Sequence, residues 1–287
     1  MRKMKIGIIG FGNLGSAIAQ KLLEEGHEIF GWNRTPEKVS KIKGARVLSS
    51  PWEVVRSSDV TFTILSDDEA VEEVLLKDKE KLSELPEGSI IANISTITPY
   101  MSMRLERELG KAKLRYAESP VLGGPQAALS KNLISLLGGK KEIADFIASI
   151  MRGVSREVFY IGEVPKASAL KLVFNSGTFT AVELIGEMLS LASSWNIDAE
   201  IVKNVASKTV LSQIFSTYLD RGLDPNFPPY FYLELAAKDL SYAIYSGRKG
   251  GSFTPAIAGA YEAYISAVKS GLGKRYYGAI IRYLLGK

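Results

Sequence analysis

MKIGIIGFGNLGSAIAQKLLEEGHEIFGWNRT, residues 4–35, reads as a strand, a glycine-rich turn, a helix, a second strand and a polar, basic loop. Gly10, Gly12 and Gly15 stand in G-x-G-x-x-G spacing directly after the short apolar run Lys5–Ile9. With 26 glycines in 287 residues the spacing alone is weak, and its context gives it meaning. Gly10 allows the tight turn, Gly12 lets backbone approach a pyrophosphate, and Gly15 lets the next helix pack on its strand. The helix predicted over Asn13–Glu25 aims its N-terminal N–H groups and dipole at that anion. Phe11, Asn13 and Leu14 complete the turn as candidate contacts. The stretch therefore predicts dinucleotide binding; the bland alternative is a strand–turn–helix that holds no ligand.

The end of the second strand bears on which dinucleotide. An NAD site usually carries an acidic residue about 20 residues on, where it accepts from the ribose 2′-hydroxyl. After Glu28–Trp32 this chain has Asn33, Arg34 and Thr35 instead. A guanidinium, an amide and a hydroxyl suit a 2′-phosphate, which an acid would repel. NADP(H) is expected over NAD(H), against the alternative that Arg34 is simply solvated.

A chain of 287 residues suggests one large or two medium domains. It has no Cys, which excludes disulfides, thiolate catalysis and cysteine metal sites. The single His, His27, stands at a helix-to-strand junction and reads as structural or surface, so no metal site is expected. The net charge of +5 comes from scattered Lys and Arg, which suits a basic dinucleotide-binding enzyme as well as it suits nucleic-acid binding. No nucleic-acid partner is expected. The N-terminus enters the first strand without an apolar signal core. The longest uncharged run, Gly88–Met103, is broken by Ser, Thr, Asn and Pro. No membrane partner is expected, and the location is expected to be cytoplasmic.

Beyond the opening unit, strands are predicted at Arg46–Leu48, Val60–Leu65, Ser89–Ile94, Leu114–Glu118, Leu133–Leu137 and Val158–Ile161. Helices are predicted between them at Trp52–Arg56, Asp68–Leu76, Tyr100–Leu109 and Lys141–Met151. Such alternation argues for an α/β fold with a doubly wound, mainly parallel sheet. Past Pro165 the period becomes helical, beginning with one long helix over Lys166–Ser194 and with breaks at Asp220–Pro229, Gly247–Gly251 and Ser270–Gly273. The expected architecture is an N-terminal Rossmann domain, residues 1–163, followed by an all-helical domain, residues 164–287. That second domain is expected to serve substrate binding and assembly into a homodimer or homotetramer.

Five separated signatures, in order, resemble the β-hydroxyacid dehydrogenases, the family of 3-hydroxyisobutyrate dehydrogenase and the tartronate and glyoxylate/succinic semialdehyde reductases. The first is the glycine turn with Asn33-Arg34-Thr35. Leu65-Ser66-Asp67-Asp68 is similar to the family's M-L-P-D loop along the cofactor. Ser95-Thr96-Ile97-Thr98-Pro99 is similar to its S-T-x-x-P turn beside the nicotinamide ribose. Glu118-Ser119-Pro120-Val121-Leu122-Gly123-Gly124 stands against its D-A-P-V-S-G-G substrate loop. Gly162, Lys171 and Asn175 stand against G-x-G-x-x-x-K-x-x-x-N, loosely upstream and well at the Lys and Asn. Lys238-Asp239-Leu240 resembles a K-D-L near the active site.

The resemblance implies cofactor contacts from Leu65, Ser66, Asp67, Thr96 and Lys238. It implies substrate contacts from Ser119, Leu122, Gly123 and Gly124, together with Lys171 and Asn175, and a small hydroxyacid or semialdehyde as substrate. Leu122 departs from the family's Ser and can donate no hydrogen bond.

The chemistry is consistent with this. With no Cys and no usable His, the proton carrier for alcohol oxidation must be Lys, Tyr, Asp or Glu. Lys171 lies in the apolar stretch Ala169–Phe174, with Asn175 one helical turn on. The alternative is that Lys171 snorkels from an amphipathic helix. Phe231, in the FPPYFY segment of residues 227–232, packs a domain interface or touches substrate. Tyr276-Tyr277 with Lys274 and Arg275 reads as a solvated turn, or less simply as an anion patch. Two rivals stay open, an imine reductase and a non-catalytic cofactor-binding protein. Family imine reductases generally lack a Lys where Lys171 stands, and a binder would be expected to lose it.

Overall fold

The computed structural model of the chain describes residues 3–286; Met1, Arg2 and Lys287, the outermost residues of the two expected domains, lie outside the described residues. The chain divides into two compact units, Met1–Lys171 and Leu172–Lys287.

The first unit opens with β1 (Lys5–Ile9), α1 (Asn13–Glu24), β2 (Glu28–Trp32), α2 (Glu37–Ser40), β3 (Ala45–Val47), α3 (Pro51–Arg56) and β4 (Val60–Thr63). It continues through α4 (Asp68–Leu75), α5 (Lys79–Ser83), β5 (Ile90–Asn93), α6 (Pro99–Lys111), β6 (Arg115–Glu118) and β7 (Val121–Leu122). It closes with α7 (Pro125–Leu129), β8 (Leu133–Gly139), α8 (Lys141–Met151), β9 (Ser155–Gly162) and the start of α9 (Lys166–Ser194). Among the described residues nine strands form one sheet in the order β3-β2-β1-β4-β5-β6-β8-β7, with β9 pairing β8. Strands β3 to β6 run parallel. Ile6, Ile8, Val60, Phe62, Ile91 and Ala92 are fully buried, as expected where helices cover both faces of a parallel sheet.

The expected strands and helices form within one to three residues of their expected bounds. The sheet departs from the sequence reading at its far end, where β8 runs antiparallel to β6 and β7. The ten residues 123–132 between β7 and β8 hold only a five-residue helix, too little for a parallel crossover.

The second unit takes the rest of α9 and then α10 (Ala199–Ala206), α11 (Ser212–Leu223), α12 (Leu233–Lys249), α13 (Pro255–Ala267) and α14 (Ile280–Leu284). A π turn, Val268–Leu272, and a 3-10 turn, Tyr277–Ala279, join the last two. Its core gathers Phe179, Val182, Ile185, Leu189, Phe215, Leu233, Leu240, Tyr264 and Ile280. Tyr276-Tyr277 correct the solvated-turn reading. Tyr276 is 6% exposed, the two rings lie 4.5 Å apart, and Tyr277 meets Phe179 edge-on at 5.0 Å. Burying two aromatic faces outweighs what exposure would offer a pair of hydroxyls. Among the described residues no helix is long and apolar enough to cross a membrane.

Candidate active site

Parallel strands deliver their carboxyl ends to one edge of the sheet, and the order reverses between β1 and β4. Gly10 follows β1, Ile64 to Ser66 follow β4, Ile94 to Thr96 follow β5, and Ser119 follows β6. The expected cofactor segments of this unit therefore meet along one edge.

At the glycine turn each glycine has its own reason. Gly10 takes φ +106°, and a Cβ there would collide with the Ile64 carbonyl oxygen. A Cβ on Gly15 would strike the Gly10 carbonyl oxygen, so α1 could not lie against its strand. Gly12 has open space around its Cβ position. Helix α1 begins with no side-chain cap and no acidic residue in its first turn. A helix start without a side-chain cap, a positive dipole end and room beside Gly12 fit a pyrophosphate.

Asn33 is tied into this turn rather than left for a ligand. Its Oδ1 accepts from the Phe11 N–H at 2.9 Å and its Nδ2 donates to the Thr35 carbonyl at 3.0 Å. Arg34 and Thr35 are exposed beyond it.

The loops after β4 and β5 are wired to each other. The Leu65 N–H donates to Ser95 Oγ at 2.8 Å, and Asn93 Nδ2 donates to the Ser95 carbonyl at 3.0 Å. Asp67 caps α4 by accepting from the Ala70 N–H at 2.7 Å. Asp68 accepts from the Thr98 N–H and hydroxyl at 2.9 and 2.6 Å. Ser66 is exposed and Thr96 half-buried.

In the candidate substrate loop Ser119 is fully buried, and its hydroxyl has no hydrogen-bond partner among the described residues. Leu122 is half-buried; Gly123 and Gly124 are exposed. Gly123 takes φ +115°, and a Cβ there would crowd Leu133 Cδ2 at 2.9 Å.

Lys171 and Asn175 lie one turn apart on α9, each 8% exposed. Lys171 closes the first unit, so it shares a compact body with the glycine turn. In the second unit Asn175 Nδ2 donates to Asp239 Oδ2 at 2.6 Å. Lys238 pairs with Asp239 Oδ1 at 2.9 Å and lies 4.6 Å from the Tyr242 ring centroid. Asp239, fully buried, thus joins two residues the sequence reading named separately. In the sequence Asp239 stands inside the Lys238-Asp239-Leu240 motif, and an acid beside Lys238 in an apolar helical segment is the available signal. Phe231 stacks on Phe179 at 5.6 Å within the aromatic core of the second unit.

Residues 5–162 match the family described as the NAD binding domain of 6-phosphogluconate dehydrogenase. Residues 166–284 match the one described as the NAD-binding of NADP-dependent 3-hydroxyisobutyrate dehydrogenase. The chain belongs to the β-hydroxyacid dehydrogenase family. It is 32% identical to the cytokine-like nuclear factor N-PAC of Mus musculus over 263 residues, 91% of this chain and 47% of that protein. The chain therefore spans about half the length of those nuclear-factor relatives. It is 28% identical to glyoxylate/succinic semialdehyde reductase 2, chloroplastic, of Arabidopsis thaliana, over 98% of this chain and 79% of that protein. The 3-hydroxyisobutyrate dehydrogenase of Mycobacterium tuberculosis, solved with L-serine, shares the fold at TM-score 0.86 and 20% identity, with 99% of each chain covered. Imine reductases share this dehydrogenase fold more distantly, at TM-score 0.63 and 21% identity for that of Bacillus cereus, with 100% of each chain covered.

Proposed function

We propose that the chain is an NADP(H)-dependent oxidoreductase acting on a small β-hydroxyacid or its semialdehyde, with Lys171 as general acid and base. The carrying observation is a buried amine, 8% exposed, in the same compact unit as an uncapped, glycine-lined helix start. The nicotinamide, when bound, supplies the hydride acceptor or donor. Gly12 and the first N–H groups of α1 would hold the dinucleotide's pyrophosphate, and Arg34 would face the 2′-phosphate, with Asn33 fixing the turn beneath. Thr96, Leu65, Ser66 and Asp67 line the cofactor's path. Lys171 Nζ takes the proton from the substrate hydroxyl in oxidation and returns it in reduction. Asn175, held by Asp239, presents its amide to the same substrate, and Lys238 shares that carboxylate. Gly123 and Gly124 N–H groups receive the substrate carboxylate beside Leu122, with Ser119 in the same loop.

Initial rates with NADPH and NADH against glyoxylate, succinic, methylmalonate and tartronate semialdehydes, serine, 3-hydroxypropionate and 3-hydroxyisobutyrate test this. Turnover of one carboxylate substrate, faster with NADPH, is expected. Activity only on imines overturns it in favour of imine reduction, against which the Lys at position 171 counts. The N-PAC relatives motivate the second reading, a cofactor-binding protein without catalysis, which predicts NADPH binding and no turnover on any panel.

We further propose self-association into a homodimer or homotetramer, supported by the exposed Phe174, Leu184 and Leu191 along α9 and Trp195 just past its end. Light scattering that reports a monomer at micromolar concentration discards it.

A further inference from the structure

Helix α9 starts without a capping side chain of its own, since Val164 and Pro165 precede Lys166. Its first N–H groups have no intrahelical acceptors and need partners elsewhere. The partner is Glu118, at the end of β6, which is 0% exposed. Its Oε2 accepts from the Ala167 N–H at 3.0 Å and its Oε1 from the Ser168 N–H at 3.2 Å. Ser102 donates its hydroxyl to Oε1 at 2.6 Å, and the Ser102 and Tyr116 hydroxyls lie 3.0 Å apart. Gly138 makes the room, because a Cβ there would run into Oε2.

Burial raises the Glu118 carboxyl pKa on balance, and these hydrogen bonds offset only part of that rise. A carboxylate at a helix N-terminus is also favoured by the dipole. Lys171 follows Ala167 by four residues and Ser168 by three, so the clamped turn carries it on the next turn of the same face. All of these residues lie in the first compact unit.

We propose that Glu118 is a positioning residue for the reaction: by capping α9 from the sheet edge, it sets where the Lys171 amine stands. The proposal rests on the reading of Lys171 as the proton carrier. Misplacing a reacting group by about 1 Å can cost roughly a hundredfold in rate. Glu118→Gln keeps the volume but loses the charge and faces an NH₂ toward N–H donors. It should lower kcat by roughly ten- to a hundredfold, with the Kd for NADPH within about twofold of wild type. Glu118→Asp, which keeps the carboxylate, should fall between.

The deciding measurement is the double variant with Lys171→Met. If Glu118 acts through Lys171, Glu118→Gln costs nothing further once the amine is gone. An equal loss in both backgrounds, or wild-type kcat in Glu118→Gln, overturns the proposal. Should Glu118→Gln fail to fold, the same cycle with Glu118→Asp decides. Wild-type turnover in Lys171→Met alone sinks the Lys171 reading itself, so the two failures are distinguishable.

Discussion

The glycine turn after β1 and the buried polar set of the helical unit are built by opposite means. At the turn, backbone shapes the surface: Gly12 leaves space, α1 starts without a side-chain cap, and the Asn33 side chain serves the backbone. In the helical unit side chains make the polar set: Asp239, fully buried, accepts from Asn175 on one oxygen and pairs with Lys238 on the other. At the turn itself, added volume is the change the backbone cannot absorb. A buried polar set cannot absorb the loss of a member, because each one left alone bears the full desolvation penalty.

The largest effect should come from Lys171, which stands on the helix that begins in one unit and ends in the other. Lys171→Met should lower kcat by on the order of 10²–10⁴, the usual range for losing a general acid/base. NADPH binding, read by fluorescence titration, should stay near wild type.

The glycines sharpen the contrast next. Gly12→Ala should fold normally, since its Cβ meets only open space, yet weaken NADPH by roughly ten- to a hundredfold by filling the pyrophosphate's room. Gly15→Ala should instead lose about 1–3 kcal/mol of stability, because its Cβ strikes the Gly10 carbonyl. Calorimetry and cofactor titration of the pair check this, and a reversed pattern breaks the comparison.

Arg34→Ala should weaken NADPH by roughly ten- to a hundredfold, the loss of one charge-assisted hydrogen bond, and leave NADH little changed. Equal losses for both cofactors remove Arg34 as the discriminator. At the substrate loop, Leu122→Ser restores a donor worth about 0.5–1.5 kcal/mol, so KM for a short semialdehyde acid should fall several-fold. Abolished activity in Leu122→Ser, with uncharged aldehydes preferred by the wild type, rejects the hydroxyacid assignment.

The smallest effect belongs to Glu183 on α9. Burial, with Glu187 one turn on, raises its carboxyl pKa from 4.5 to about 7. Between those values the folded state holds more protons than the unfolded one, so stability falls as pH rises through that window. Below pH 4.5 the group contributes no penalty; above about 7 the penalty is complete. Glu183→Gln should therefore raise Tm at pH 8 and leave it nearly unchanged at pH 4. The same Tm shift at both values discards the titration.

Apart from the short α2, α5, β7 and α7, the sequence by itself determined the strands and helices of the first unit, the glycine turn and the long helix from Lys166. Those rest on local periodicity and on the conformations only glycine allows, which neighbouring residues specify. Tertiary structure decided the antiparallel placement of β8, the burial of Tyr276 and Tyr277, and the partners of Glu118 and Asp239. Glu118 meets Ala167 and Asn175 meets Asp239 across 49 and 64 residues of chain. No local pattern encodes such a pairing: a buried charge finds whichever donor the packed fold leaves unsatisfied, and that donor exists only once the helices and sheet have come together.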